Sequence, residues 1–407
     1  MTGSAAPNDT RDIPHLLYVG DVPVEASYHG SALIHRLLTP YPPDRLRVVE
    51  SSLGVSRPER RLQRVEYRIL DVGSRRWLDT RVHILVSQLY ALRAAGRAAE
   101  LDKNLGGFEP QAVLTVAHGY AWMAAARFAK RHALPLHMII HDDWPRVAGF
   151  RGAVAWWLDR EFSRAYREAA SRLCVSPYMA QEYFRRYGVS ASVLFPARAP
   201  GAKVFSTPSE RLNETGRPLI VGFGGTVNSA GYAAALRALG EILSESGGHL
   251  EIFGPLTNQD AMRAHLIGPG VRLNGLVKAD EFVQVLRDRV DVLFAPMSFA
   301  PEDADNIKLS FPSKLTDYTA CGLPILIYGP EYSSAVQWAR ANQGVACVVT
   351  DDSGPALREA VCALQSDREL RLGLAQSAIE LGVREFSAES AERVFLDAIC
   401  ATLAEKN

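Results

Sequence analysis

Three residues on one short stretch, Ser313, Lys314 and Asp317, have the types and spacing to bind a phosphate and a sugar. Pro312 precedes them and Gly322 follows, which predicts a helix of about three turns that begins near Ser313. The first N–H groups of a helix have no internal partner and suit an anion, and Lys314 adds a full charge. Asp317 is placed to accept hydrogen bonds from sugar hydroxyls. A capped helix that packs on a parallel sheet and binds nothing is the alternative.

A glycine turn from Gly222 to Gly225 follows one predicted strand and precedes a predicted helix. Such a turn lets a phosphate approach the backbone closely. The third glycine is not where the dinucleotide-binding fingerprint needs it, so that fingerprint is excluded. A tight turn that requires positive φ explains these glycines equally well without a ligand.

His118 and His141 each follow an apolar strand in the first half, and Asp142 stands beside the second histidine. Ligands of open α/β sheets bind at the carboxyl ends of the strands, so we expect these three residues to be catalytic. A single histidine there is usually only a polar residue that ends the strand.

No metal site is expected. His141, Asp142 and Asp143 are adjacent and cannot all reach one ion without distortion. Asp303 and Asp305 form an Asp-x-Asp pattern that could hold a divalent ion on a diphosphate, but a solvated acidic loop explains it better.

Composition limits the class of protein. The 407 residues predict two domains, and equal numbers of basic and acidic residues, 45 each, give no overall field to attract nucleic acid. The five cysteines lack metal-ligand spacing and indicate buried thiols in a reducing compartment. Neither a leader peptide nor a membrane span is evident, so we expect a cytoplasmic protein. Residues 153–170 combine aromatic and basic side chains, which leaves a weak peripheral membrane contact open, although an ordinary surface helix is favoured.

The order of predicted elements indicates the fold class. Apolar strands, such as residues 15–19, 136–140, 219–223 and 290–295, alternate with helices, such as residues 82–100. This alternation predicts an α/β protein with two Rossmann-like domains whose parallel sheets face a cleft. The predicted domains are residues 1–199 and 200–384, with a last helix at about 385–407 packing back on the first domain.

The second half resembles the C-terminal domain of GT-B fold glycosyltransferases, particularly the large retaining family 4. Residues 312–324, Pro-Ser-Lys-Leu-Thr-Asp-Tyr-Thr-Ala-Cys-Gly-Leu-Pro, are similar to the family signature Pro-x-Lys-x-x-Glu-Tyr-x-x-x-Gly-x-Pro. Weaker matches in the first half are Gly30, His118-Gly119 and His141-Asp142.

The resemblance implies roles for individual residues. Asp317 takes the place of the glutamate that binds the ribose, and Lys314 with the N–H groups around Ser313 holds the diphosphate. His118 contacts the transferred sugar. The implied donor-binding set is Gly224, Gly225, Thr226, Asn228, Lys308, Ser313, Lys314 and Asp317, and the implied acceptor loop is Tyr28, His29 and Gly30.

Two departures from the family pattern concern the donor site. Leu309 stands where the family commonly has a first glutamate, and the segment from Thr226 replaces a frequent basic pair. Lys308 and the amide of Asn228 are the residues that could compensate.

The resulting expectation is a retaining glycosyltransferase that uses a nucleotide-diphosphate sugar as co-substrate, with no cofactor and no metal. The acceptor would be a glycan, a lipid-linked molecule or a small molecule, and the oligomeric state stays open. Two alternatives remain: a sugar-nucleotide epimerase of the same fold, with His118, His141 and Asp142 as acid and base, and an inert sugar-nucleotide-binding subunit.

Overall fold

A computed structural model describes residues 13–27, 29–78, 83–144, 146–148, 150–227 and 229–404. Its contacts divide the chain into two compact units. The first consists of Met1–Leu194 together with Glu392–Asn407, and the second is Phe195–Ala391.

The first unit contains a parallel sheet of seven strands in the order β3-β2-β1-β4-β5-β6-β7. The strands are β1 Leu16–Gly20, β2 Leu46–Ser51, β3 Glu66–Leu70, β4 Ala112–Val116, β5 Leu136–Ile140, β6 Ser171–Cys174 and β7 Ser192–Val193. The central strands β1, β4 and β5 are buried at every position, because helices cover both faces of a parallel sheet.

The helices that surround this sheet lie between its strands. They are α1 His29–Leu38, α2 His83–Gly96, α3 Ala98–Asn104, α4 Ala121–Arg131, α5 Gly152–Glu168 and α6 Pro177–Tyr187. The predicted continuous helix over residues 82–100 is wrong, because the chain leaves the helical path between α2 and α3. The break follows Gly96, the residue type that least favours a helix interior apart from proline.

The second unit contains a parallel sheet of six strands in the order β10-β9-β8-β11-β12-β13. The strands are β8 Ile220–Gly224, β9 His249–Phe253, β10 Val271–Gly275, β11 Val292–Pro296, β12 Ile325–Tyr328 and β13 Cys347–Val349. The hydrophobic core on one face of this sheet includes Phe223, Phe294 and Tyr328.

The remaining helices follow the same alternation. They are α7 Ala230–Glu245, α8 Asn258–Arg263, α9 Ala279–Arg289, α10 Ala304–Leu309, α11 Lys314–Tyr318, α12 Ser334–Ala341, α13 Gly354–Ser366, α14 Arg368–Phe386 and α15 Ala388–Ala404. The helix predicted near Ser313 is much shorter than three turns. Beyond α11 the chain tightens into i→i+3 hydrogen bonds, Ala320 N to Asp317 O and Cys321 N to Tyr318 O, before Gly322 turns at φ 67°.

Both sheets reverse their strand order at one place. The reversal lies between β1 and β4 in the first unit and between β8 and β11 in the second. Ligands of doubly wound sheets bind outside the carboxyl ends of the strands at such a point. These observations confirm the predicted α/β class with two Rossmann-like parallel sheets. Within the described residues, no helix is both long and apolar enough to span a bilayer.

Candidate functional site

His118, His141 and Asp142 meet in the first unit. Strands β4 and β5 are parallel neighbours, with Val116 opposite Ile139, so the residues that follow them emerge side by side. His141 Nε2 lies 3.2 Å from His118 Nδ1. Asp142 Oδ2 lies 3.1 Å from His141 Nε2 and 3.4 Å from His118 Nδ1. The predicted catalytic residues therefore form one cluster.

The cluster is electrostatically coupled. Burial would raise the pKa of Asp142, but hydrogen bonds from His118 and His141 outweigh it and hold the pKa of this carboxyl well below its usual range. Burial would lower the pKa of His118, yet the hydrogen bond to Asp142 and the charges of Asp142 and Asp21 raise the pKa above its ordinary value. A protonated His118 beside an ionised Asp142 can donate a hydrogen bond to a ligand oxygen.

Asp21, which follows β1, is a buried residue that the sequence analysis missed. Its carboxylate accepts hydrogen bonds from the backbone N–H groups of Tyr120 and Ala121 and from the Ser51 hydroxyl. It thereby caps the start of α4, and Gly119, at φ 61°, passes so close that a Cβ there would lie 2.4 Å from Asp21 Oδ2. Asp21 is thus a positioning residue for His118. An acidic residue directly after the first strand was the signal available in the sequence.

The predicted acceptor loop reaches the same cluster through Gly30. A Cβ on Gly30 would lie 2.7 Å from Cε1 of His141, so only glycine fits against this imidazole. Gly30 belongs to the first turn of α1. Tyr28 lies outside the described residues, and only the backbone of His29 lies within them.

The cluster also has the donor set of a metal site. His118, His141 and Asp142 each offer one ligand atom, and these atoms lie within 4.8 Å of one another. The same distances fit hydrogen bonds from the two imidazoles to the carboxylate. Asp143 takes no part, because it is buried against Arg186, whose Nη2 lies 3.0 Å from Asp143 Oδ2.

In the second unit, the glycine turn after β8 lies next to Lys314 at the start of α11. A Cβ on Gly225 would lie 3.9 Å from both Cε and Nζ of Lys314. Gly225 has φ 133°, a conformation that L side chains rarely adopt. The Gly224 N–H donates to the Tyr318 hydroxyl over 2.8 Å, which ties the turn to α11.

The ammonium of Lys314 has aromatic neighbours. Nζ lies 4.1 Å from the centroid of the Phe223 ring and 5.8 Å from that of Tyr232. Within the described residues, no carboxylate forms an ion pair with it. Burial lowers the pKa of Lys314 from 10.5 to about 7. Its protonated form has no ion-pair partner in the described part of the chain, so an incoming anion would supply the missing negative charge.

Other donor-site candidates lie close to Gly225 or Lys314 in the sequence. Ser313 and the half-buried Asp317 flank Lys314 on α11, and in the described chain the N–H groups of Ser313 and Lys314 have no hydrogen-bond partner. Thr226 is half-buried beside Gly225. Asn228 is outside the described residues.

Lys308 is exposed on α10, and Leu309 next to it is buried in the core. No hydrogen bond or ion pair joins Lys308 to the other candidates in the described part of the chain. Asp303 Oδ2 accepts a 2.6 Å hydrogen bond from the Ser229 hydroxyl, so Asp303 supports the start of α7.

Arg198 is a second residue that the sequence analysis missed. It is buried, and its guanidinium donates 2.7 Å hydrogen bonds to Thr316 O and Thr319 Oγ1. These bonds hold the backbone of α11 in place. Burial lowers the pKa of Arg198, and the charge of Asp317 only partly offsets this effect. A lone arginine in a proline-rich stretch carries no pattern that would have identified it.

Known proteins resemble this chain in fold and, over part of the first unit, in sequence. Residues 43–195 match the family model described as Glycosyltransferase Family 4. No curated protein matches the chain by sequence.

Several solved structures share the fold at low sequence identity. HepE from Anabaena, solved with UDP and glucose, is 13% identical with a TM-score of 0.64, over 95% of this chain and 99% of that one. Sucrose-phosphate synthase from Thermosynechococcus elongatus is 12% identical with a TM-score of 0.66, over 96% and 99%. Trehalose 6-phosphate synthase from Burkholderia multivorans is 11% identical with a TM-score of 0.64, over 96% and 99%. The chain therefore has the GT-B fold, as predicted.

Proposed function

We propose, from a GT-B fold whose first unit matches glycosyltransferase family 4, that this protein moves a sugar from a nucleotide-diphosphate sugar to an acceptor hydroxyl. The observation that carries the proposal is the approach of Lys314 to Gly225 at the strand-order reversal of the second sheet. A cation that forms no ion pair within the described chain, beside a glycine that leaves the backbone open, suits a diphosphate.

The second unit is assigned to the donor. Lys314 and the backbone N–H groups of Ser313 and Lys314 bind the diphosphate, and Gly225 leaves it room. Gly224 and Thr226 hold the turn on either side of Gly225, and Asp317 accepts hydrogen bonds from the ribose. HepE has been solved with UDP-glucose, which supports a uridine nucleotide as the first donor to test.

The first unit is assigned to the sugar and the acceptor. The protonated His118, held by Asp142 and Asp21, donates a hydrogen bond to a hydroxyl of the transferred sugar. Gly30 and the residues around it receive the acceptor. His141 orients Asp142 and lies between that carboxylate and Gly30.

The chemistry follows from these assignments. The bond between the anomeric carbon and the diphosphate oxygen breaks, and its electron pair leaves with the nucleotide, whose charge Lys314 stabilises. The acceptor oxygen then bonds to the anomeric carbon on the same face, and its proton passes to the departing phosphate oxygen. This sequence retains the anomeric configuration and needs neither a metal nor a covalent sugar–enzyme intermediate.

A panel of nucleotide sugars without an acceptor tests the proposal. Slow release of free nucleotide and sugar, followed by nuclear magnetic resonance, supports a transferase. Formation of a new sugar epimer would make the protein an epimerase, and binding with no turnover would make it an inert subunit.

A further inference from the structure

The helix α2 is apolar on its outward side as well as on its inward side. Its inward face buries Tyr90, Ala91 and two further alanines. On its outward face, Leu85, Leu89 and Leu92 are 62%, 64% and 57% exposed. A surface helix normally turns charged residues outward, so three exposed leucines on that side depart from the usual arrangement.

The three leucines form a single stripe. Their spacing of four and three residues places them above one another on one side of the helix. Scattered exposed apolar residues are normal in proteins, whereas a contiguous patch marks an interaction surface.

A short 3-10 turn at Arg75–Trp77 lies beside the same helix. The Tyr90 hydroxyl donates to Ser74 O and accepts from Ser74 N, both over 2.9 Å. A Cβ on Gly73 would lie 2.2 Å from the Tyr90 ring, so the strand exit packs tightly on α2. Trp77, which is 57% exposed, therefore adds an aromatic ring to this side of the unit.

Two arginines of the turn, Arg75 and Arg76, add positive charge near α2, although the whole chain has no net charge. Asp71, which follows β3, is paired with Arg93 of α2 at 3.2 Å. Arg75 and Arg76 are exposed, and neither has an ion pair among the described residues.

We propose that α2 and the Arg75–Trp77 turn dock on the surface of an anionic lipid bilayer. The leucine stripe enters the boundary between headgroups and acyl chains, Trp77 lies at the headgroup level, and Arg75 and Arg76 contact lipid phosphates. The helix lies in the plane of the surface, in keeping with the finding that no described helix could span a bilayer. Charge complementarity selects anionic lipid over an uncharged apolar partner, because Arg75 and Arg76 are exposed and form no ion pair with any residue that the structure describes. This surface is distinct from α5, the segment for which the sequence left a membrane contact open.

Sedimentation of the full chain with lipid vesicles tests the proposal. We expect binding to vesicles that contain phosphatidylglycerol, weaker binding to pure phosphatidylcholine, and a loss of binding as salt rises. Failure to sediment with phosphatidylglycerol vesicles at low salt would overturn it.

Two variants test the residues themselves. Leu85→Gln/Leu89→Gln/Leu92→Gln keeps the helix propensity and should lower the partition onto anionic vesicles by at least about tenfold. Arg75→Gln/Arg76→Gln should lower it roughly tenfold at low salt only.

Met262→Gln/Ile267→Gln/Leu276→Gln is the matched control. It removes three comparably exposed apolar residues from the second unit and should bind vesicles like the parent protein. Unchanged vesicle binding by both variants would refute the proposal. So would a dimer in solution that the leucine variant abolishes, because a second copy would then cover the stripe.

Discussion

Gly225 and Lys314 approach so closely that a Cβ on the glycine would lie 3.9 Å from the ammonium nitrogen of the lysine. Gly225 ends the turn after β8, and Lys314 begins α11, so the strand-order reversal of the second sheet brings them together. The first three predictions below depend on this pair.

Replacing Lys314 with alanine should weaken UDP binding by about 10- to 150-fold, the value of a hydrogen bond to a charged group. Isothermal titration calorimetry with UDP measures this. Lys278→Ala removes an exposed lysine of the same unit and should bind UDP normally. Equal affinity in the Lys314 variant and the parent would refute the donor-site assignment.

Gly225→Ala should also weaken UDP binding, because the new methyl group occupies the space in front of Lys314 and φ 133° strains the backbone. Gly216→Ala is the control, since Gly216 has φ 79° in the same unit and a Cβ there meets nothing within 4 Å. We expect both variants to lose about 1 kcal/mol of stability in thermal unfolding. Only the Gly225 variant should lose UDP affinity. Similar affinities in both would show that the turn does not meet the ligand.

UDP affinity should fall as pH rises from 7 to 9, because the pKa of Lys314 is lowered to about 7 and only its protonated form attracts the diphosphate. The limiting slope is about tenfold per pH unit. Lys314→Arg keeps its charge and should show a flat profile, whereas a flat profile in the parent protein would contradict the assignment.

The same lowered pKa affects the ligand-free protein. Between pH values of about 7 and 10.5 the unfolded chain binds more protons at this lysine than the folded chain does. The contribution of Lys314 to the free energy of unfolding therefore increases as pH rises through that window.

Asp142→Asn should lower the pKa of His118, because the carboxylate is the main group that raises it against the effect of burial. Proton resonances of the imidazole, followed through a pH titration, report this change. We expect kcat to fall by up to about 100-fold as His118 loses its charge and its orientation.

The control for this variant is Asp102→Asn. Asp102 lies 2.9 Å from His132 in the same unit, outside the cluster. Its loss should leave both the His118 titration and kcat unchanged. A His118 pKa that does not move in Asp142→Asn would disprove the coupling.

A chelator should leave sugar transfer unchanged, because Lys314 and the backbone N–H groups of Ser313 and Lys314 are assigned to balance the charge of the diphosphate. Turnover measured with and without EDTA is the test. Activity that disappears and returns with a divalent cation would instead place an ion in the protein. Comparison of Asp142→Asn with Asp305→Asn would then show whether the ion binds at the His118–His141–Asp142 cluster or at the acidic loop.

The sequence was a reliable guide to strands. Leu136–Ile140 has its predicted bounds, because a short apolar run between turn residues is typical of a strand in a sheet that is covered on both faces. Helix lengths were less predictable. The nineteen-residue helix Arg368–Phe386 was missed, and α11 is a short helix where three turns were expected.

The candidate site likewise contains residues that the sequence identified and residues that it did not. The sequence singled out His118, His141 and Asp142 by their positions after strands, and Lys314 and Gly225 by residue type. It left out Asp21, although the position of this acid directly after the first strand was a signal, and Arg198, for which there was none. The partners of both side chains are backbone groups about a hundred residues away along the chain. A hydrogen bond to a distant main chain leaves no trace in residue spacing.

By itself, then, the sequence determined the two-sheet α/β architecture and the residue types available for binding, because strand burial and turn chemistry depend on local patterns. Only the tertiary structure decided which of those residues meet. The parallel register of β4 and β5 joins the two histidines, and the approach of the turn after β8 to α11 joins Gly225 to Lys314. It also decided that Leu85, Leu89 and Leu92 face outward. Which side of a helix is covered depends on what packs against it, and that is a property of the whole fold.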